Sequence, residues 1–164
     1  MDDAPIVVKD DGSGMTEKEV RSEYLNIASD RRSRKGEKTH HKGRQVKGRK
    51  GIGKFAGLAA AETMDLVTRA MGTATSLQIV KQALLDARKD LERIGLLVTT
   101  QSCSKSEHGT IVTLSELNQK LAFPTPEALK ELLVLEYGRQ PDFTLHVNDE
   151  PLAQEDIPGQ QFEA

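Results

Sequence analysis

Apolar and polar positions along this chain change phase often, and each change marks an element. Ala4 to Lys9 is a short β-rich run stopped by Asp10-Asp11-Gly12-Ser13-Gly14, which predicts a buried strand entering a tight turn. Thr16 stands three residues before Glu19, the capping-box spacing. Val20, Tyr24, Leu25 and Ile27 then give a helix an apolar stripe to about Ala28. From Ser29 to Lys50 the only apolar side chain is Val46, and Gly36 and Gly43 interrupt the run. Such a segment cannot bury enough surface to offset its ordering entropy, so 29–50 reads as a long flexible loop of the lid or binding kind.

Gly48-Arg49-Lys50-Gly51-Ile52-Gly53-Lys54-Phe55 follows and runs into Ala56 to Ala61, a helix. Met64 to Met71 and Thr75 to Val80 are alternating or β-branched runs parted by Gly72, which predicts a hairpin. Leu84, Ala87, Leu91 and Ile94 recur at helical spacing up to Gly95. Leu96 to Thr100 and Thr110 to Leu114 read as two more strands joined by a polar, Ser-rich turn. Thr125 caps a further helix with Pro126 in its first position and Glu127 at its positive dipole end; its leucines run to Gly138. Phe143 to Val147 is a last strand before a turn at Asn148-Asp149, and 154–164 is a frayed tail. Strands outnumber helices and several neighbours should pair antiparallel. The expected fold class is therefore α/β of the two-layer α+β sandwich kind: a mixed, mostly antiparallel sheet with helices on one face, in one domain over 1–164.

Composition narrows the function classes. No run approaches the ~20 apolar residues of a membrane span, which argues against a membrane partner, and the acidic start Met1-Asp2-Asp3-Ala4-Pro5 is no secretion signal. Cys103 is the single cysteine, which excludes an internal disulfide and a cysteine-based zinc site and fits a reducing, cytoplasmic setting. Of 23 basic residues, eleven fall in 31–54 beside one acidic residue, Glu37. The rest of the chain carries twelve basic and 24 acidic side chains. A basic block inside an acidic protein meets an anion, and one such anion is nucleic acid. Against a nucleic-acid-binding module built on 31–54 stands the lack of any aromatic residue before Phe55 on which a base could stack.

The glycine-rich turn is the strongest local candidate. Three glycines free the backbone to approach a ligand, and the following helix aims free N–H groups at it, which makes a phosphate cradle. Gly48, Gly53 and Lys54 fit the P-loop spacing, but Phe55 stands where a magnesium-holding hydroxyl is needed and no buried strand precedes the turn. Asp10 and Asp11 do not form an acid/base pair, because neighbours on a strand point to opposite faces. His40-His41 has no Cys or carboxylate cluster near it in sequence, so no metal ligand is assigned.

Three separated motifs then line up in order: Asp10-Asp11-Gly12-Ser13-Gly14-Met15, Gly48 to Ala56, and Gly109-Thr110-Ile111-Val112-Thr113-Leu114. With a basic lid between the first two, the chain from Ile6 to Leu117 resembles the ATP-binding domain of the gyrase, heat-shock chaperone, histidine kinase and MutL superfamily (GHKL ATPases, Bergerat fold). The resemblance implies ATP as ligand, with Asp10 accepting from the adenine amino group and Gly12 and Gly14 letting the base pack on the turn. It makes Met15 an apolar wall, Gly48, Gly51, Ile52 and Gly53 the phosphate loop, Lys54 a nearby cation, and Thr110 a hydroxyl that assists adenine recognition. It also implies magnesium in the complete domain, ATP hydrolysis, an ATP-dependent dimer of the whole protein, and a branch closer to the chaperones and MutL than to the kinases. The family's first helix carries the water-activating glutamate and the magnesium-holding asparagine, and only nine residues precede Asp10. The expectation is a fragment with a Bergerat-type fold lacking that helix, without a catalytic residue or metal ligand of its own, and inactive alone.

Overall fold

The computed structural model describes residues 4–25, 53, 56–86, 96–137 and 144–152. The chain forms two compact units, Met1–Gln119 and Lys120–Ala164.

The first unit is built on a five-stranded sheet. Its strands are β1 (Ile6–Asp10), β2 (Ala61–Ala70), β3 (Thr73–Val80), β4 (Val98–Ser102) and β5 (Gly109–Leu117), in the spatial order β1-β5-β2-β3-β4. Every pairing within it is antiparallel. The expected hairpin is β2–β3, eight residue pairs in register from Thr63↔Val80 to Ala70↔Thr73. Met71 and Gly72, both at positive φ, turn it, which suits the right-handed twist of the flanking strands.

Alternation places Met64, Leu66, Leu77, Ile79 and Leu114 on one face, where they are buried with Val98, Val20, Leu58 and Ala61. Helical segments supply the cover. Thr16 opens α1 (Glu17–Glu19) with the predicted capping box: Thr16 Oγ1 accepts from Glu19 N–H at 3.3 Å, and Glu19 Oε2 accepts from Thr16 N–H at 2.9 Å. The chain then widens into a π turn over Val20–Tyr24 that buries Val20 completely. The Arg21 guanidinium, paired with Glu17 at 2.8 Å, also donates to the Val98 carbonyl at 3.4 Å. The helix after the glycine turn, α2 (Gly57–Ala60), is shorter than expected. Ala61 is already extended and pairs with Leu117, so strand pairing overrides helix propensity there. α3 (Lys81–Asp86) follows β3; the rest of its predicted stripe, from Ala87, lies outside the described residues.

The expectation for the first strand fails as well. The first strand is not buried: Val7 and Val8 are 55% and 60% exposed, and only Ile6 joins the core. β1 is one of the two edge strands, paired on one side to β5, and only Ile6 of it packs against the core.

Burial of Tyr24 pushes its hydroxyl up to about 12. Below pH 10 folded and unfolded chains both keep that proton. Between about 10 and 12 the unfolded chain releases it while the folded chain holds it, so stability falls as pH rises through this window, by up to about 3 kcal/mol. Urea midpoints on either side of the window should show the drop, and Tyr24→Phe should diminish it.

In the second unit, Thr125 Oγ1 accepts from Ala128 N–H at 3.3 Å and starts α4 (Pro126–Tyr137), as the sequence predicts. The Glu127 backbone N–H, followed by the Thr125 hydroxyl, holds the Glu127 carboxyl below its usual value. β6 (His146–Val147) and β7 (Glu150–Pro151) form a hairpin around Asn148-Asp149, both at positive φ, and Lys130 pairs with Glu150. Val134 and Val147 are buried.

Candidate functional site

The site candidates gather where β1 ends. Asp10 pairs with Thr110, Thr110 with Thr68, Thr68 with Thr75, and Thr75 with Thr100. One residue from each strand thus makes a single row across the sheet, on the face that carries the core. Just inside it, Val8, Val112, Leu66, Leu77 and Val98 form the neighbouring apolar row. The sheet face therefore changes from apolar to polar at this row.

Two glycines let the turn after β1 close down on the row. Gly14 has φ +68, and a Cβ there would lie 1.9 Å from the Arg69 carbonyl oxygen. Gly109 has φ +104, and its Cβ would lie 2.3 Å from the Asp10 carbonyl oxygen. Both positions need a left-handed backbone and contact with another main chain, which only glycine allows. Gly12 acts through its backbone amide instead. Its N–H donates to Asp10 Oδ1 at 2.9 Å, an Asx turn that orients the carboxylate. Asp10 itself is exposed, and Oδ2 has no hydrogen-bond partner among the described residues.

Thr68, fully buried, ties the pieces together. Its Oγ1 accepts from Met15 N–H at 2.8 Å and lies 3.2 Å from Thr110 Oγ1 and 3.4 Å from the Gly109 carbonyl. Met15 is thereby fixed at the edge of the row, its side chain packed against the core. On the rim, His108 Nδ1 lies 3.0 Å from the Gly12 carbonyl; a carbonyl can only accept, so Nδ1 carries the proton. Arg69 pairs with Glu107 at 3.3 Å beside it.

Of the residues singled out in the sequence, Asp10, Gly12, Gly14, Met15 and Thr110 come together here. Gly48, Gly51, Ile52 and Lys54, with the lid 29–50, lie outside the described residues. Gly53 is exposed, its carbonyl accepts from Ala56 N–H at 3.0 Å, and a Cβ there would meet nothing within 4 Å among the described residues. Crowding therefore does not require glycine at 53. Sequence reasoning missed Thr68 and His108. Thr68 left one trace, a hydroxyl in the apolar phase of Met64, Leu66 and Ala70.

Thr75 is the odd member of the row: fully buried, its hydroxyl has no hydrogen-bond partner among the described residues. A buried hydroxyl without a partner is destabilising by ~1–3 kcal/mol. Thr75→Val keeps the shape and removes that penalty, so the urea midpoint should rise by an amount worth about 1 kcal/mol with its slope unchanged.

Among the described residues no group of three or more His, Cys, Asp or Glu could hold a metal ion, and no helix is long and apolar enough to cross a membrane. A carboxylate acceptor, a neighbouring hydroxyl and an apolar side chain on a glycine-tightened turn suit a flat, polar-edged ligand. The family model described as Histidine kinase-, DNA gyrase B-, and HSP90-like ATPase matches residues 1–110. No curated protein matches the chain.

Proposed function

The chain belongs to the histidine kinase-, DNA gyrase B- and HSP90-like ATPase family, and from that membership we propose that it is a nucleotide-gated switch of the non-kinase branch, with the row at the end of β1 as its adenine site. Asp10 Oδ2 accepts the exocyclic amine, Thr110 meets the ring nitrogen beside it, and Met15 supplies the apolar wall. The observation that carries this reading is the Asp10–Thr110 pairing on adjacent strands, with the Asp10 carboxylate oriented by Gly12. A carboxylate acceptor selects an amino-purine because the wrong base leaves it unpaired.

By the family resemblance, Gly48, Gly51, Ile52 and Gly53 supply the amides that hold the phosphates, and Lys54 a nearby cation. By the same resemblance the basic segment 29–50 serves as the nucleotide lid, and hydrolysis is an activity of the whole protein. In the whole protein magnesium accompanies the phosphates, and the nucleotide-bound state favours a dimer.

The test is thermal unfolding with ATP or ADP, with and without magnesium. At a hundredfold excess over the dissociation constant the protein should gain about 2.7 kcal/mol. No change with either adenine nucleotide refutes the proposal. The second reading, nucleic-acid binding through residues 31–54, is favoured by that segment's eleven basic side chains. It requires tight, salt-sensitive binding of labelled DNA without nucleotide.

A further inference from the structure

Resting on the adenine reading above, we infer that Thr68 is a positioning residue for base choice: it fixes the direction in which the Thr110 hydroxyl donates, and so sets the polarity of the pocket's edge.

The direction starts at a group that cannot reverse. Met15 N–H can only donate, and it donates into Thr68 Oγ1 at 2.8 Å. One side of the Thr68 oxygen is thereby filled, and its own proton must go elsewhere. Two acceptors stand within reach, Thr110 Oγ1 at 3.2 Å and the Gly109 carbonyl at 3.4 Å. The Thr110 oxygen, the nearer of the two, takes it in preference to the carbonyl. Once Thr110 accepts from Thr68, its own proton turns away from Thr68. In the row, Thr110 stands between Thr68 and Asp10. The chain thus runs from Met15 N–H through Thr68 and Thr110 toward the ligand, each bond polarising the next.

The pocket edge then presents a hydroxyl donor at Thr110 beside the free carboxylate oxygen of Asp10. Adenine offers the complement, a ring-nitrogen acceptor beside an amino donor. Hypoxanthine has the same shape and reverses both, an N–H beside a carbonyl oxygen. Asp10 alone opposes only the carbonyl. A Thr110 hydroxyl free to rotate would accept from the reversed ring N–H as readily as it donates to adenine. Thr68 removes that freedom, so discrimination acts at two positions of the base.

Calorimetric titration of the wild-type chain and its variants with ATP and ITP, which differ at that edge alone, tests the inference. Wild type should prefer ATP. Thr68→Val retains the shape and deletes the hydroxyl, and the ATP-over-ITP ratio should fall about tenfold, the effect of one hydrogen bond. Thr68→Ser should restore it. A merely structural Thr68 would weaken both nucleotides by the same factor; an unchanged ratio in Thr68→Val overturns the inference and leaves the adenine reading standing. Wild type that binds neither nucleotide, or both alike, overturns the adenine reading and the inference with it. Should circular dichroism show Thr68→Val unfolded, Thr68→Cys, whose thiol is a weak donor, carries the same comparison.

Discussion

Asp10→Asn is expected to leave the sheet intact and to erase the stabilisation that adenine nucleotides confer. The geometry gives the reason. Asp10 Oδ1 is engaged by Gly12 N–H at 2.9 Å, so Oδ2 is the oxygen left for the base. An asparagine keeps its single oxygen on the Gly12 N–H, because that bond holds the turn. Its NH2 then sits where Oδ2 was and meets the amino group of adenine, donor against donor. A charge-assisted hydrogen bond worth ~1.5–3 kcal/mol is lost, and an unpaired donor is added. The ligand-induced gain of about 2.7 kcal/mol at a hundredfold excess should vanish over the same concentration range. Thermal unfolding of the two proteins without ligand should agree closely, since Asp10 is exposed and the Asx turn survives. A variant that still gains stability from ATP would remove Asp10 from the base-reading role.

Gly14→Ala is expected to do the opposite: to damage the fold first, and binding through it. The added methyl would lie 1.9 Å from the Arg69 carbonyl oxygen and 2.7 Å from its carbon, main-chain atoms that no rotamer change can move aside. The left-handed φ of +68 adds a cost of ~1–2 kcal/mol for any residue with a Cβ. Relief requires the turn to lift off β2, which breaks the adjoining Met15 N–H bond to Thr68. Together these predict a loss of about 3 kcal/mol or more, or roughly 6–12 °C in melting temperature for a protein of this size. Differential scanning calorimetry reads it directly. A shift of a degree or less would mean that the turn sits off β2 in solution.

Much of this site is legible in the sequence, and the limits have a physical cause. Asp10, Gly12, Gly14 and Thr110 can be named because they fall in ordered motifs that resemble those of the ATPase superfamily. Asp10 is an acceptor on a strand end, the two glycines lie in a turn, and Thr110 is a hydroxyl at a strand start. Thr68 cannot be named this way. Taken alone it is a β-branched residue in a strand, the commonest thing a threonine can be. Its importance comes from partners 53 and 42 residues away, Met15 and Thr110. Only strand register creates those contacts. With the register known, the signal is plain, because the inward phases Ile6-Val8-Asp10, Met64-Leu66-Thr68 and Leu114-Val112-Thr110 all turn polar at one row.

The misjudged burial of the first strand has the same origin. Ile6-Val7-Val8 reads as buried because apolar runs usually are, and a run of that length cannot report whether it ends up central or outermost. The expected length of α2 is too great for a related reason. Ala56 to Ala61 favours a helix by propensity, and nothing local announces that Ala61 will pair with Leu117.

That outermost place for β1 ties affinity to local order. The carboxylate proposed to read the base hangs from an edge strand, held by β5 alone. Such a strand is the first part of a sheet to fray, and when it frays Asp10 leaves the row with it. Any nucleotide gripped there would act as a clasp on the margin of the sheet, its grip and the integrity of that margin rising and falling as one quantity.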